Sequence, residues 1–507
     1  MKKTVMMLMI ITITSKFFGF FREVSLSYFY GASEVSDVYL VATTIPGLLM
    51  GFVMVGISAG FIPIYSEIKN KQGEKKAERF SSNLLNILLL GTLVVFVLGE
   101  LFAGLLVRLV ASGFEGETFT LAVVFTRIAL AGIFFTTLAE ILKSLLEVKG
   151  DFKTPAMKAF PMNLILIVSI VLSAYLGSYV LVVGFVLSGT IQVLYMLPKL
   201  TAMGYHHYFR MDFKDEHIRK IMVMALPLII GVSAGQINVL VDRNLASRIA
   251  VGGISALSYA HRLQLMVHGV FGASIVTVMY PMLSKFAAEK DLTGFKKNIG
   301  LSVLGTNLLI IPSMVGMLLL ATPIVTMIFG RGAFDAGAKA LTSGALFYYA
   351  LGIVPFSLRD ILSKALFSLK DSRTPMIIGV IGVIINVILN LTLSPFMGIN
   401  GLALATSLAG MSSALLLIHH LRKRVGGLAL KSLVVPHLKI LLASLVMGVS
   451  VRYFFMFLLG VMDYGFALVT AIVFGAGVYL ILIYSMKIQE VDVFIKQIKE
   501  MIFKAPV

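Results

Sequence analysis

The chain contains no cysteine and no tryptophan, and only 13% of its 507 residues are charged. The absence of cysteine excludes disulfides, thiolate metal sites and cysteine nucleophiles. The absence of tryptophan means that any aromatic belt at a membrane surface must consist of Tyr and Phe. Soluble domains carry about twice this share of charged residues. Together with a hydrophobic share of 58% and a mean hydropathy of +0.95, the scarcity of charge predicts an integral membrane protein.

Fourteen apolar segments are long enough to cross a bilayer, for which a helix needs about 20 residues. The predicted spans are 5–30, 38–64, 83–109, 119–146, 156–176, 179–198, 221–248, 254–283, 298–320, 340–366, 374–395, 400–420, 440–460 and 464–486. The basic N-terminus resembles that of a signal peptide, but Lys16 interrupts the apolar run and no small-residue cleavage site follows. We therefore predict an uncleaved first helix and an all-α fold with fourteen transmembrane helices.

Lysine and arginine are concentrated on one side of the predicted membrane. The N-terminus, the C-terminal tail and the six even-numbered loops hold 31 of the 43 basic residues, whereas odd-numbered loops such as 31–37 and 394–401 hold almost none. Because cytoplasmic loops are enriched in Lys and Arg, both termini are predicted to be cytoplasmic. Short basic loops at a membrane surface explain the net charge of +18, so we expect no nucleic-acid partner.

One segment of the sequence occurs twice. LAEILKSLLEVKGDFKTP (138–155) aligns without gaps with LRDILSKALFSLKDSRTP (358–375), and the shared positions include Asp151 with Asp371 and both Thr-Pro pairs. The offset of 220 residues corresponds to six spans, an even number, so the two copies have the same orientation in the membrane. Parallel repeats of this kind are typical of transporters that bind substrate between the halves and work by alternating access.

The repeat divides the chain into three predicted parts. Residues 1–200 would form an N-terminal six-helix lobe, and residues 201–425 a pseudo-symmetric C-terminal lobe. Residues 426–507 lie outside the repeat and would add two transmembrane helices and a cytoplasmic tail. The predicted architecture is therefore two six-helix lobes followed by two extra C-terminal helices.

Several charged residues lie within the predicted spans, where each charge costs a few kcal/mol. Arg22, Arg127, Arg262 and Lys16 are the cations that are hardest to place at a membrane surface, and Glu23 follows Arg22 directly. Lys16 and Glu23 are seven residues apart and share a helix face, so we expect them to pair and to leave Arg22 available for a ligand. Arginine pairs well with phosphate, so the predicted substrate is anionic and phosphorylated. These five residues are the predicted substrate-binding set.

The other interpretation is that the intramembrane charges pair with one another and only hold helices together. It applies to Arg22 and Arg262 as well. It applies most directly to charges that lie near a partner or near a cytoplasmic end, namely Arg127, Glu140, Arg359 and Asp360.

Five motifs resemble one known family. The first motif begins at Gly19 and reads GFFREVSLSYFYGASEVSDVYLVATTIPGLL. The other four are TRI (126–128), SYAHRL (258–263), FGRGAFDAGA (329–338) and GINGLALATSLAG (398–410). With these motifs the chain resembles MurJ-type lipid II flippases of the multidrug/oligosaccharidyl-lipid/polysaccharide exporter superfamily. The resemblance covers essentially the whole chain, and GFFRE and FGRGAF are the motifs most specific to this branch.

The resemblance implies a function in peptidoglycan and cell-wall biogenesis. Such proteins move lipid II, an undecaprenyl-diphosphate-linked glycopeptide, from the cytoplasmic to the outer leaflet of the bacterial plasma (inner) membrane. Arg22 and Arg262 would bind the diphosphate, with Lys16 and Glu23 nearby, and the two extra C-terminal helices would form a groove for the lipid tail. The chain departs from the pattern at Met50 and Gly51, where many relatives carry arginine, and at His261, where an acidic residue is common.

Some members of the family also bind sodium in the second half. The matching positions here are Asp242, Asn386, Asn390 and Thr406, and Asn386 and Asn390 lie one helical turn apart. Carboxylate and amide oxygens suit Na⁺, but Asn390 replaces an expected carboxylate, and ordinary hydrogen bonding between helices is the other interpretation. A sodium gradient or the membrane potential would drive transport, and we expect no other cofactor.

Three alternatives differ from lipid II transport. A flippase for another polyprenyl-diphosphate-linked glycan would have the same fold and the same charges. A cation-coupled multidrug exporter would need an acidic cavity, whereas the isolated charges here are mostly basic. A membrane glycosyltransferase would need catalytic carboxylates and a larger exposed domain than the loop at 199–220 provides. We therefore expect a transporter rather than an enzyme, acting as a monomer on lipid II among membrane lipids.

Overall fold

The structure, a computed structural model, describes residues 2–428 and 431–488. Within these ranges it leaves aside the side chains of 2–6, 52, 53, 55–59, 226–228, 230–234, 273–278, 431 and 432. Every regular element in the described ranges is a helix, which confirms the predicted all-α class. The chain divides into two compact units, Met1–Ser255 with Arg331–Asp335 and Ala256–Gly330 with Ala336–Val507.

The first unit is built from ten helices. They are α1 (Lys2–Tyr30), α2 (Glu34–Gln72), α3 (Glu74–Leu101), α4 (Ala103–Val110), α5 (Gly116–Leu130), α6 (Gly132–Val148), α7 (Lys153–Met157), α8 (Ala159–Leu176), α9 (Tyr179–Ala202) and α10 (Glu216–Ile249). α10 packs along α2, where the Arg243 guanidinium donates a 2.7 Å hydrogen bond to the carbonyl oxygen of Leu40. The predicted lobe boundaries at residues 200 and 425 stay predictions, because they refer to the sequence repeat rather than to packing.

The second unit contains the remaining helices, and the boundary between the units falls in the first turn of α11. They are α11 (Gly253–Val267), α12 (Ala273–Ala288), α13 (Leu292–Leu319), α14 (Ala321–Phe329), α15 (Ala336–Leu351), α16 (Ile353–Ser368), α17 (Arg373–Met397), α18 (Ile399–Val425), α19 (Lys431–Leu458) and α20 (Tyr464–Ser485). A π-helical segment, His268–Gly272, joins α11 to α12.

Within the described residues, nine helical segments are long and apolar enough to cross a membrane. A tenth results if α15 and α16, which meet at a bend of 41°, count as one span. These ten coincide with ten of the predicted spans. The other four predicted spans lie on α1 (5–30), α2 (38–64), α10 (221–248) and α11–α12 (254–283). The total of fourteen transmembrane helices therefore stays a prediction.

The two units contain the same helix breaks. α3 gives way to α4 at Phe102 (φ −104°, ψ 17°), and α13 gives way to α14 at Leu320 (φ −114°, ψ 19°). A second break separates α5 from α6 at Ala131, and its counterpart separates α15 from α16 at Gly352. Because corresponding breaks lie close to the predicted 220-residue offset, they support the duplication.

The turn quoted from the sequence repeat has the same hydrogen bonds in both units. The Asp151 carboxylate accepts hydrogen bonds from the Thr154 N–H (3.1 Å) and Oγ1 (2.7 Å). The Asp371 carboxylate accepts the equivalent bonds from Thr374, at 3.0 and 2.9 Å. Thr374 N–H and hydroxyl groups hold the pKa of Asp371 below its usual value, mainly through the backbone hydrogen bond. The shared motif therefore encodes a helix start rather than a ligand site.

Aromatic and small side chains position the helices within each unit. In the first unit, Phe61 and Phe80 stack with ring centroids 6.1 Å apart in a fully buried cluster. Burying one such side chain from water contributes about 1.5–3 kcal/mol. In the second unit, Gly475 of α20 lies so close to Val451 of α19 that a Cβ there would overlap the valine side chain. Small residues allow this close approach, which van der Waals packing stabilises in a membrane.

Candidate functional site

Arg22 lies against Glu23 on α1. Its Nη2 is 2.6 Å from Glu23 Oε1, and Glu23 is only 4% exposed while the Arg22 side chain is 24% exposed. The expected Lys16–Glu23 pair is wrong, because Lys16 is exposed and makes no ion pair within the described ranges. Seven residues along a helix separate Lys16 from Glu23 by about 10 Å, so a shared face did not bring the two charges together.

The pairing fixes Arg22 without using all of its donors. A guanidinium has five N–H groups, and the bond to Glu23 engages only the Nη2 side. The buried carboxylate therefore offsets the cost of the cation in an apolar helix and holds its orientation. The remaining donors and the exposed quarter of the side chain are available to an anionic ligand.

Asn163 is a polar residue near Arg22 that sequence reasoning missed. It is 3% exposed on α8, and its Oδ1 has no hydrogen-bond partner among the described residues. The same oxygen lies 3.9 Å from the position that a Cβ on Gly19 would take, less than one turn before Arg22. An isolated asparagine in the apolar span 156–176 was the signal in the sequence. A ligand hydroxyl or amide would satisfy this oxygen.

The remaining predicted residues of the first unit have different surroundings. Arg127 Nε lies 3.8 Å from Glu100 Oε2, and more than half of the Arg127 side chain is exposed. Glu140 is bound by Lys158 Nζ at 2.6 Å and by Lys143 Nζ at 3.2 Å. The geometry of both acidic residues agrees with the interpretation in which charges pair between or along helices. Met50, where the resemblance led us to look for arginine, is buried in the core.

In the first unit, the backbone at the end of α1 packs directly against the segment Arg331–Asp335. The Ala333 N–H donates a 2.8 Å hydrogen bond to the Tyr28 carbonyl oxygen, and Gly31, at φ +60°, touches the Ala333 backbone where a Cβ would overlap it. The buried Asp37 carboxylate accepts hydrogen bonds from the N–H (2.7 Å) and Oγ (2.6 Å) of Ser255. Sequence reasoning missed Asp37, although a carboxylate at the start of an apolar span was visible.

In the second unit, Arg262 is exposed on α11 between fixed neighbours. The ring of His261 lies 5.4 Å from that of Tyr349, and the Gln264 side chain donates a 2.9 Å hydrogen bond to the Tyr349 carbonyl oxygen. These contacts attach α11 to α15 through the residues flanking Arg262. The rotation of the helix, and with it the direction of the arginine, is therefore fixed.

The π-helical segment lies two turns after Arg262. Its first residue, His268, has Nε2 3.4 Å from Asp360 Oδ2, and Arg359 Nη2 lies 3.9 Å from Asp360 Oδ1. Its last residue, Gly272, packs against Ser357 so closely that a Cβ would lie 2.9 Å from the hydroxyl oxygen. π-Helical turns inside α-helices are frequent at functional sites. His268 was not among the residues predicted from the sequence.

Three of the four residues predicted to bind sodium form hydrogen bonds with one another. Asn390 Nδ2 donates to Asn386 Oδ1 (2.8 Å), Asn386 Nδ2 donates to Thr406 Oγ1 (3.2 Å), and Thr406 donates to the Leu402 carbonyl oxygen (3.0 Å). Asp242 belongs to the first unit, where its carboxylate lies 3.5 Å from Asn238 Nδ2. The oxygen atoms are of the right chemical type for Na⁺, but that of Asn386 is engaged with Asn390 on α17, and that of Thr406 is engaged in the hydrogen bond between α17 and α18. We therefore assign no step to sodium.

An apolar groove of about 690 Å³ lies within the second unit. Side chains of α13, α16, α18 and α19 line it, and three of them are polar: Asn307, Ser407 and His437. Asn307 Nδ2 and His437 Nε2 are 2.8 Å apart and pair with each other, whereas Asn307 Oδ1 has no hydrogen-bond partner among the described residues. The rest of the lining is almost wholly hydrocarbon, so the groove can accept a long hydrocarbon chain.

Comparison with known proteins gives consistent matches. A family model described as "Lipid II flippase MurJ" matches residues 26–495. The protein named "Lipid II flippase MurJ" from Burkholderia cenocepacia is 29% identical over 423 residues, which are 82% of each chain. The "Probable lipid II flippase MurJ" of Rhizobium meliloti is 30% identical over 416 residues, 80% of this chain and 78% of that protein.

Solved structures show the same fold. One described as "Lipid II flippase MurJ, inward closed conformation" superposes with a TM-score of 0.81 at 29% identity, and the match covers 94% of this chain and 98% of that one. A multidrug resistance MATE family transporter of the MOP superfamily, in an inward-facing conformation, gives a TM-score of 0.68 at 15% identity, over 84% of this chain and 99% of that one. At that identity the second match shows the fold alone.

Proposed function

Because this chain belongs to the lipid II flippase MurJ family, it is a lipid II flippase, and we propose that Arg22 and Arg262 bind the diphosphate of the substrate. It is a multi-pass protein of the bacterial inner membrane that acts in peptidoglycan synthesis. The observation that carries the proposal is Arg22, held in an apolar helix by the buried Glu23 carboxylate with donors left over.

The chemistry of the diphosphate matches these arginines. A diphosphate presents several anionic oxygens, and a planar guanidinium can donate to two of them at once. Glu23 limits the positions that Arg22 can adopt, so less conformational freedom is lost when a ligand binds. Arg262 is likewise presented by a helix whose rotation is fixed on both sides of it.

The other predicted residues have secondary parts in this proposal. Lys16 is exposed and can supply long-range attraction for an anion. Glu23 positions Arg22. Arg127 contributes only if its 3.8 Å contact with Glu100 opens. The sodium site of Asp242, Asn386, Asn390 and Thr406 stays a prediction with no part in the mechanism.

The apolar groove is the proposed site for the polyprenyl tail. Its lining is almost wholly hydrocarbon, and α19, one of the two helices outside the sequence repeat, forms one wall. A tail that moves from the lipid bilayer into this groove exchanges one apolar environment for another. The groove would therefore fix the position of the tail but add little to the binding affinity.

The proposed cycle transports lipid II without making or breaking a bond, so the chain acts as a transporter and not as an enzyme. It would work by alternating access as a monomer, with both termini in the cytoplasm. The membrane potential or an ion gradient would supply the energy. The potential acts on net transferred charge with about 2.3 kcal/mol per elementary charge at 100 mV, which is enough to bias an anionic headgroup.

Depletion and rescue in a bacterium deprived of its own lipid II flippase tests the proposal. Wild type, Arg22→Ala and Arg262→Ala are compared at equal membrane levels. Arg452→Ala is the control, because among the described residues Arg452 bonds only a backbone carbonyl, at 3.2 Å. We expect rescue by wild type and by the control, and by neither of the other variants. Rescue by Arg22→Ala and Arg262→Ala would contradict the proposed site. Failure of well-expressed wild type would contradict lipid II as the substrate and favour another polyprenyl-diphosphate-linked glycan.

A further inference from the structure

The connection between α9 and α10 is held to α3 by hydrogen bonds to its backbone. We call residues 205–213 the strap. Asn83 donates to the Asp212 carbonyl oxygen (2.9 Å) and accepts from the Asp212 N–H (2.7 Å). Asn86 donates to the carbonyl oxygen of Tyr208 at 3.1 Å. Because both asparagines are buried, the strap has a defined position although it is not helical.

The fixed backbone makes the strap two-sided. Phe209, Met211 and Phe213 occupy alternate positions, and their exposed fractions are 98%, 54% and 61%. Because the strap backbone is bonded to α3 while these three side chains are exposed, they form an apolar ridge on the outer surface of the strap. A protein in water rarely exposes such a cluster without a partner.

A small cavity of about 210 Å³ lies next to the strap. Three basic side chains, Lys76, Arg79 and Arg210, line it together with His217 and a single carboxylate, Asp215. Asp215 accepts hydrogen bonds from the backbone N–H (2.9 Å) and the ring Nδ1 (3.0 Å) of His217, so it caps α10. The lining is therefore cationic, and its one acid is already engaged.

The other acids near this cavity are bound elsewhere. Glu74 and Glu78 accept hydrogen bonds from Lys149 at 2.8 and 3.1 Å. In the part of the chain that the structure describes, neither Lys76 nor Arg79 has a carboxylate within 4 Å, and Arg79 stacks over the Tyr208 ring at 5.5 Å. Arg210 does have such a partner, Asp212, which is its neighbour on the strap. Two of the three cations are thus available to an anion.

We propose that the strap is a membrane-interface anchor in which Phe209, Met211 and Phe213 insert among lipids and the cationic cavity binds the phosphate of an anionic phospholipid. The combination of an apolar ridge and a cationic recess matches the two parts of such a lipid. The cavity has room for a phosphate group rather than for a whole lipid. The strap belongs to the set of basic loops that are predicted to face the cytoplasm, where anionic lipids are available. The inference does not depend on how lipid II is bound.

The natural lack of tryptophan allows a direct test. Phe209→Trp introduces a single tryptophan into the full chain. The variant is reconstituted into vesicles of phosphatidylcholine and phosphatidylglycerol. In each preparation one of the two lipids carries bromine on its acyl chains, which quenches tryptophan fluorescence. We expect quenching by both lipids, about twofold stronger by brominated phosphatidylglycerol at an equal fraction of bilayer lipid. Absence of quenching by either lipid would overturn the insertion of the ridge.

Charge variants test the cavity with the same reporter. In Phe209→Trp combined with Lys76→Gln and Arg79→Gln, quenching by brominated phosphatidylcholine should remain and the preference for phosphatidylglycerol should disappear. The matched control is Lys75→Gln, which removes an exposed lysine of α3 that does not line the cavity. A preference that persists in the double charge variant, or that is lost in the control as well, would overturn the assignment of the cavity.

A last arm separates the lipid from free phosphate. Inorganic phosphate is added to the reporter protein in the same vesicles, with an equal concentration of chloride salt as the ionic-strength control. If the site is built for a lipid phosphate, phosphate should reduce the preference no more than chloride does. Selective loss with phosphate would show a site for soluble phosphates and overturn the lipid assignment. Unchanged thermal unfolding of each variant confirms that the chain remains folded.

Discussion

Arg22 and Glu23 show how adjacent opposite charges are carried by an apolar helix. An isolated charge at this depth costs a few kcal/mol, and the 2.6 Å contact with a nearly buried carboxylate offsets much of that cost. Removing one partner of a buried pair is more damaging than removing both, because the remaining charge is left uncompensated. The pair is therefore best tested as a unit.

We predict that Glu23→Gln destabilises the protein more than the double variant Arg22→Gln/Glu23→Gln. The coupling between the two positions should be on the order of 1–3 kcal/mol, measured as shifts of thermal unfolding in detergent for the four proteins of the cycle. The double variant should fold but fail in the rescue experiment, since it lacks the guanidinium. Additive losses would show that the two side chains do not depend on each other for stability.

Asp371 gives a pH dependence whose sign follows from its hydrogen bonds. Its pKa is held below the usual 3.8 in the folded state by Thr374, so the folded state binds fewer protons than the unfolded state. The resulting stabilisation is fully present above the usual pKa and is lost as the pH falls through the folded value. Asp371→Asn should therefore lower the unfolding temperature at pH 6 and make little difference at the lowest pH at which wild type remains folded.

The control for this prediction is Asp463→Asn. Asp463 also precedes a helix, but its side chain makes no capping hydrogen bond. Its substitution should change the unfolding temperature little at either pH. A pH-independent effect of Asp371→Asn would mean that the ionised carboxylate is not the stabilising group.

At the residue scale, the sequence drew attention to Arg22 but did not give its partner. Arg22 stood out because a charge in an apolar run is costly wherever it lies. Its partner was predicted wrongly because a helical wheel gives directions but no distances along the axis. Asn163 and Asp37 were missed because their importance lies in what surrounds them, which spacing does not reveal.

Among the elements, the π-helical segment is the feature with the clearest mechanical effect. A π turn contains one more residue than the α-helical turn that it replaces, so the extra residue is absorbed within that one turn and the helices on either side keep the facing of a regular helix. Arg262 lies before His268–Gly272, and α12 with Tyr280 follows it. The relative facing of these two parts therefore depends on the π turn, because the same number of residues in regular α-helix would turn one against the other by about 100°.

Insertion of one alanine after Val270 should therefore abolish rescue. The exposed Val270 lies inside the π segment, which already absorbs one extra residue, and a second extra residue would turn Arg262 by about 100° relative to α12. The matched control, Val270→Ala, keeps the residue count and should support growth. Equal membrane levels on immunoblots are required for the comparison. Rescue by the insertion variant would show that the facing of Arg262 is unimportant.

Helices were predictable from the sequence where the average hydropathy of a window is enough to identify them. Hydropathy windows located ten spans that the structure also contains, and the repeated turn revealed the duplication. The breaks at Phe102 and Leu320 and the π turn escaped detection, because each is a change of a residue or two inside a uniformly apolar run. Only packing against neighbouring helices distinguishes such positions.

For the whole molecule, the absence of cysteine makes membrane topology measurable. The distribution of basic residues predicts that Lys75 faces the cytoplasm and Glu117 the outside, and both side chains are exposed. A membrane-impermeant maleimide on intact cells should label Glu117→Cys and not Lys75→Cys, and permeabilised cells should show labelling of both. Labelling of Lys75→Cys in intact cells would reverse the predicted orientation and with it the cytoplasmic assignment of the strap.

The class of the molecule was predictable from composition and its family from motifs. Scarce charge indicated a membrane protein, and GFFRE and FGRGAF indicated the flippase family that the comparisons show. The strap could not be predicted, because Asn83 and Asn86 bind the backbone of a segment more than 120 residues away. Nothing in the side chains of that segment indicates what its amide groups contact.

The turns at Asp151 and Asp371 still make the same hydrogen bonds, although the residues around them have largely changed. Duplication of an ancestral gene would give two identical halves. Each half could then accept substitutions at positions where the other half still performed the function. The places that stayed alike are those that every half needs in order to fold. The π segment is a place where the halves differ, since α2 of the first unit is continuous. The conserved turns and the divergent segments together indicate which parts of the ancestral repeat have been retained and which have changed since duplication.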